Sequence, residues 1–171
     1  MSLSAILLPE FDQEMAKTRT ALERIPPDRF DWAPHEKSMS FGDLATHLAN
    51  IPNWGNLTLE QDSFDLEPPG GESTQISRAS DLSDVLARFD AAVPRARAAI
   101  EATTDDQWQE EWTLLHSGEP LFSLPRAVVV RNMVMNHLIH HRGQLSVYLR
   151  LAGVPVPALY GGSADEEMGA R

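Results

Sequence analysis

The stretch that decides the fold is Val130-Arg131-Asn132-Met133-Val134-Met135-Asn136-His137-Leu138-Ile139-His140-His141-Arg142-Gly143-Gln144-Leu145-Ser146-Val147-Tyr148. Within it and just beyond, Val130, Val134, His137, His141, Leu145, Tyr148 and Ala152 follow one another at steps of three and four, the period of one face of an α-helix. The spacing predicts a long helix from Pro125, a residue suited to a first helical turn, to Ala152, with Gly153 and Pro155 ending it. Two consecutive positions of the face expected to be buried are histidines.

Three further segments carry the same period. From about Ser4 to Arg24 the positions Leu7, Phe11, Met15, Thr18 and Leu22 form one stripe; Ser2 or Ser4 is its cap and Pro26-Pro27 its stop. From Ser40 to about Asp62, Leu44, His47, Ile51, Trp54 and Thr58 form a second, in which Pro52 predicts a kink or break just beyond His47. A third opens on Ser80-Asp81 and carries Leu82, Leu86, Phe89, Val93, Ala96 and Ile100, with a kink expected at Pro94. Between them, Asp28–Ser38 and Ser63–Ala79 read as loops, Thr104–Trp108 as a short capped turn, and Glu111–Leu124 as a small hairpin around Ser117-Gly118. The prediction is an all-α four-helix bundle, 1–171 as a single domain, with a hairpin before the last helix and a mobile tail from about residue 164.

A chain of 171 residues with 42% hydrophobic and 23% charged residues suits one globular domain. It has no cysteine, which excludes disulfide scaffolds, iron–sulfur clusters, thiolate-bound zinc and cysteine nucleophiles. Twenty-five acidic against fourteen basic residues give a net charge of −11, which repels phosphate backbones and argues against nucleic acid as a partner. No apolar run approaches the ~18 residues of a membrane span, and residues 1–9 lack the charge of a signal peptide, so a cytoplasmic protein is expected.

His47 lies on its own apolar stripe, between Leu44 and Ile51, as His137 and His141 do on theirs. Taken alone, His47 reads most plainly as a hydrogen-bonded core histidine. Three imidazoles turned into one interior are another matter, because each buried unpaired ring costs about 1–3 kcal/mol, and a divalent ion satisfies all three. Residues four apart on a helix converge on one ion, His47 adds a third ligand from a facing helix, and the remaining coordination position stays open, as in catalytic sites. His140, three residues after His137, is the rival ligand; its more polar face assigns it a flanking role, while His35 and His116 lie in loops. No histidine has Glu three residues before it, and Leu138 stands where an H-E-x-x-H protease carries its base. The expected ion therefore keeps its charge and acts as a Lewis acid or binds an anionic nucleophile.

His47-Leu48-Ala49 leading to Trp54, and above all Asn136 to Leu145, resemble the DinB-like (damage-inducible DinB / YfiT) family of metalloproteins. Tyr148-Leu149-Arg150, Gly153 to Pro157 and Tyr160-Gly161 continue the likeness; Gly162 departs from it, where the family often has proline. The resemblance implies an up-down-down-up four-helix bundle, His47, His137 and His141 as ligands of one divalent metal ion (nickel or zinc), and a homodimer. Some relatives are thiol-dependent S-transferases or maleylpyruvate isomerases. The function expected is transfer of a low-molecular-weight thiol to an electrophilic small molecule. The alternatives are a metal-hydroxide hydrolase or isomerase and a non-catalytic metal-binding stress-response protein. Around the ligands, Asp43 is either the acceptor of the second His47 ring N–H or a solvated first-turn acid; Arg142 and Gln144 either brace the last helix or meet a substrate anion; Trp54 and Tyr148 are core or pocket residues.

Overall fold

Ser2, Ser40 and Asp81 each accept, through a side-chain oxygen, the backbone N–H three residues ahead. These caps satisfy otherwise orphaned donors and start the three long helices α1 (Leu3–Glu23), α2 (Phe41–Glu60) and α3 (Leu82–Ala102). The computed structural model describes residues 2–71 and 74–167. After α3, Thr104 caps the short α4 (Asp105–Gln109), whose Trp108 is fully buried and donates its indole N–H to Ser4 Oγ at 2.9 Å. The last helical run is α5 (Arg126–Val129), a π-helical segment Val130–Asn136, and α6 (His137–Leu151).

The chain is mostly helical, but not all-α. β2 (Glu111–His116) and β3 (Glu119–Pro125) form the expected hairpin, and a third strand, β1 (Ser63–Asp65), pairs parallel to β2 inside the segment predicted to be loop. Three residues are too few to show an alternation, so β1 is defined by its pairing and by Asp65. That carboxylate accepts the N–H groups of Ser117 (3.0 Å) and Gly118 (2.7 Å), clamping the hairpin turn. Both turn residues have positive φ, 53° and 83°, the twist a two-residue hairpin turn requires and one in which Gly118 is unstrained.

Packing settles the rest. α2 lies along α3, α1 packs on α3 and α6, and α2 also meets α6 and the π segment. Phe11, Leu22, Phe41, Leu44, Ile51 and Ile100 are completely buried between them, each stabilising the fold by about 1.5–3 kcal/mol. Of the kink or break expected at Pro52, the break does not occur: α2 is continuous from Phe41 to Glu60, and α3 likewise continues through Pro94. The backbone bond lost at Pro52 is offset by burial of Ile51, Pro52 and Gly55 on the α3 side, where Gly55 comes close to Ala96. The end of α2 is tied to the start of α5 by Arg126, which is 5% exposed and donates to the carbonyls of Thr58 and Gln61 and to Asp62. Those carbonyls are among the unpaired acceptors of a helix C-terminus, and a cation there is favoured.

The buried face of α6 runs through Leu138, Arg142, Leu145 and Leu149, one residue round from the predicted stripe, so that His137 and His141 flank it half-buried. Arg142 is 1% exposed and is neutralised by Glu14 of α1, 3% exposed; it also bonds the Glu14 carbonyl (3.0 Å), Thr18 Oγ1 (3.2 Å) and Tyr160 Oη (2.9 Å). Burial pushes the Glu14 pKa up, but the hydrogen bonds from Tyr160 and Arg142 and the charges of Arg142 and Lys17 outweigh it, so its pKa is lowered. In the expected mobile tail, Asp165 and Glu166 bind Arg150 and Arg24, both at 2.5 Å; residues 168–171 lie outside the described residues. No described helix is long and apolar enough to cross a membrane.

Removing one half of a buried ion pair strands the other, at a cost of about 3–5 kcal/mol. Arg142→Ala is expected to lower stability by that amount in denaturant titration, whereas the double substitution Glu14→Leu/Arg142→Met is expected to recover most of it.

Candidate metal centre

The capping box that starts α2, Ser40 Oγ with the Asp43 N–H at 3.1 Å and the Asp43 carboxylate with the Ser40 N–H at 3.2 Å, fixes the first turn one turn before His47. The π segment does the same for the other side. Residues four apart advance about 40° round an α-helix, whereas a π turn takes more residues and makes them fall back. Val129, Met133, His137 and His141 are thereby kept on one side of the last helical run, towards α2. A helical period alone does not reveal such a turn; the spacing of these residues predicts a plain α-helix, and the π segment is the difference.

Among the described residues, His47, His137 and His141 form one group whose ligand atoms all lie within 4.8 Å of one another. His137 Nε2 is 3.0 Å from His47 Nε2 and 2.8 Å from His141 Nε2. Nitrogens sharing an ion at about 2.0–2.1 Å stand roughly 3 Å apart, so these two separations suit a donor set around one transition-metal ion. His141 Nδ1 is 2.7 Å from Gln144 Oε1. That contact makes Nδ1 the protonated nitrogen and leaves the Nε2 lone pair turned to the centre, the usual arrangement behind a metal-ligating imidazole.

All three rings are held neutral. Burial lowers the His47 pKa from 6.5 to about 4, helped by repulsion from His141 and His137. His137 is lowered by burial and then by His141 and His140; His141 is lowered by burial and by His140, against the opposing bond to Gln144. Neutral imidazole is the ligating form.

The rival ligand His140 is exposed and its Nε2 faces Gln144 Nε2 at 3.2 Å, outside the cluster. Asp43 is engaged by Ser40 and by Arg78, whose Nε is 3.0 Å away. Arg142 braces α6 against α1, and Tyr148 packs edge-on against Trp32 and Phe41 in the core. Trp54 lies edge-on to His47 (5.8 Å between centroids) and His137 (5.2 Å). Gln144, one turn from His140 and three residues from His141, is the partner that spacing alone left without a definite role. A cleft of about 740 Å³ opens between α2, the sheet and residues 66–67 and 74–78, with His47 and Trp54 in its wall.

In the ion-free chain, unfolded His47 takes a proton near its ordinary pKa of 6.5, but the folded residue only near 4. A lowered folded value for a histidine means that the unfolded state binds the extra proton. Stability is therefore unaffected by His47 above neutrality and falls progressively as pH drops from 6.5 to 4. Thermal melts across that window are expected to show a shallower pH slope for His47→Gln than for the parent chain.

The DinB family model matches residues 1–169. The uncharacterized protein YjoA of Bacillus subtilis (strain 168) is 29% identical over 144 residues, which is 80% of this chain and 82% of that protein. Among solved structures, a DinB-like protein from Bacillus cereus shares the fold with a TM-score of 0.68 at 18% identity, covering 93% of this chain and 98% of its own. The structure of Bacillus subtilis YjoA gives a TM-score of 0.67 at 21% identity, covering 94% and 98%. With a family match across almost its entire length and a DinB-like fold, the chain belongs to the DinB family.

Proposed function

We propose that this protein binds one divalent transition-metal ion, nickel or zinc, through His47, His137 and His141, and uses it to transfer a low-molecular-weight thiol to an electrophilic small molecule. The observation that carries the reading is the convergence of three imidazoles, with His137 Nε2 about 3 Å from the Nε2 of both His47 and His141, beside a cleft large enough for a small molecule. The four long helical runs are read as the up-down-down-up bundle, and the chain as a homodimer, both implied by the resemblance. Solution mass checks the second.

An ion held by His47, His137 and His141 would supply Lewis acidity that favours the thiolate form of a thiol; in the transfer the sulfur–carbon bond forms as the carbon–leaving-group bond breaks, the leaving group keeping its electron pair and the thiol proton passing to solvent. The chain's own residues set the conditions. Three neutral ligands leave the ion's charge uncompensated, which favours an anionic partner. Gln144 holds the His141 tautomer, and Trp54 covers one side of His47 and His137. With no cysteine in the chain and no carboxylate in the cluster, the nucleophile has to come from solution. A thiol, ordinarily with a pKa near 8.5, needs a smaller shift than water to ionise at neutral pH.

Elemental analysis of protein purified without a metal-affinity column is expected to find one ion per chain. His47→Ala, His137→Ala and His141→Ala should each lose it, while His140→Ala keeps it; Gln144→Ala is expected to weaken binding by about 10–100-fold. Chelation is expected to lower the melting temperature without unfolding the chain. With cobalt substituted, an added thiol (glutathione, bacillithiol or mycothiol) should produce an intense sulfur-to-cobalt charge-transfer band and turn over a haloarene. No band with any thiol, together with ester or amide hydrolysis, would assign the site to hydroxide chemistry instead; neither activity would leave a non-catalytic metal protein.

A further inference from the structure

The cleft beside His47 has walls of uneven chemistry. α2 contributes Trp54 and Leu57, the sheet Phe64, Trp112, Leu114 and Phe122, and the last helical run Val129 and Met133. Its size, about 740 Å³, falls in the range of about 300–1,000 Å³ that encloses a drug-sized molecule. Several polar wall groups are already engaged, while the buried Trp112 indole N–H has no partner among the described residues. Thr46 Oγ1 donates to the Gly42 carbonyl (2.7 Å) and accepts from the Ala79 N–H (3.0 Å), and Asn53 Nδ2 donates to Asn50 Oδ1 (3.1 Å).

Charge sharpens the picture. The ionisable groups of the wall are Asp43, Glu67, Arg78, His47 and His116. Arg78, the lone arginine or lysine among them, is bound by two carboxylates, Asp31 at 2.6 Å and Asp43 at 3.0 Å, and its guanidinium also donates to the Phe30 carbonyl at 3.2 Å. Glu67 has His116 beside it at 4.0 Å. Asp43 and Glu67 set two carboxylates against the one guanidinium of the wall, within a chain of net charge −11. In the ion-free chain, a carboxylate, sulfonate or phosphate entering this cleft meets two carboxylates and, among the described residues, no uncommitted arginine or lysine, while an apolar ring system meets aromatic and aliphatic side chains over most of its surface.

We infer that the cleft selects a neutral, predominantly apolar molecule with an aromatic or extended hydrocarbon body, admitted along Trp54 towards His47, and rejects anions. Trp54 is the specificity-determining residue of this arrangement, since the same ring lines the cleft and packs edge-on against His47 and His137. The inference deepens the preceding reading by naming its electrophile class; it rests on that reading only for what happens at the His47 end, and binding itself needs no ion.

The experiment compares a probe with its own anionic derivative. N-phenylnaphthylamine is neutral, and anilinonaphthalene sulfonate is the same skeleton carrying a sulfonate. Titrated into the full chain, the neutral probe is expected to bind with a stoichiometry of one and to quench tryptophan emission, with the sulfonate at least about tenfold weaker. Leu114→Trp fills the cleft and is expected to abolish the neutral probe's binding. Glu67→Lys, a change at an exposed rim position that spares the core, is expected to strengthen the sulfonate about fivefold and to leave the neutral probe within about twofold. Equal affinity for the two probes, preference for the sulfonate, or a neutral-probe affinity unmoved by Leu114→Trp in protein that melts cooperatively would each overturn the inference. Repeating the titrations after chelation separates it from the proposed chemistry: probe binding persists without the ion, and a missing cobalt–thiol band has no bearing on it.

Discussion

Three imidazoles gathered so that His137 Nε2 lies 3.0 Å from His47 Nε2 and 2.8 Å from His141 Nε2 impose a constraint that much of the structure serves. Such a cluster excludes its own protonation, because each charge taken up there lacks water and faces its neighbours. It therefore needs helices that do not slide. α2 is held at its start by the Ser40–Asp43 capping box and at its end by Arg126, so His47 is anchored from both directions. α6 is held from behind by Arg142, whose guanidinium is engaged by Glu14, Thr18 and Tyr160. His141 and Arg142 are chain neighbours: one points to the cluster and the other into the opposite packing layer, so the ion pair on one side of α6 steadies the ligand on the other.

The π segment connects this rigidity to the cleft. π turns are rare and commonly sit at functional sites, because an extra residue per turn costs regular hydrogen bonding. Here the turn falls immediately before His137 and keeps Val129 and Met133, which line the cleft, on the side of the run that carries the ligands. The small sheet forms the opposite wall. Its third strand exists through Asp65, which pins the Ser117-Gly118 turn and holds β1 beside β2. The helix pair that carries the three histidines and a cleft wall of strands are thus joined by the continuous segment that leaves β3 and becomes α5.

Much of this was legible in the residues themselves. The steps of three and four, the capping serines and Asp81, the Ser-Gly hairpin turn and the three histidines on two stripes are local patterns, and local patterns reflect backbone geometry that each segment carries with it. So the helices, the hairpin and the grouping of His47, His137 and His141 followed from spacing, and the choice of His141 over His140 followed from the polarity of their faces. The absence of cysteine and the charge of −11 excluded whole classes of chemistry before any fold was considered.

What only the tertiary structure decided are the features that depend on partners distant in sequence. β1 is too short to announce itself and forms because β2 is there to pair with it. Pro52 and Pro94 sit in uninterrupted helices because packing between α2 and α3 outweighs one lost backbone bond in each. The face of α6 that is buried was displaced by one residue from the apolar stripe, because Glu14, 128 positions earlier in the chain, supplies the charge that lets Arg142 enter the core. Gln144, only three residues from His141, is a local partner that spacing still could not name: a hydrogen bond is chosen by what geometry brings within 3 Å, and periodicity specifies a face but not the partner waiting there.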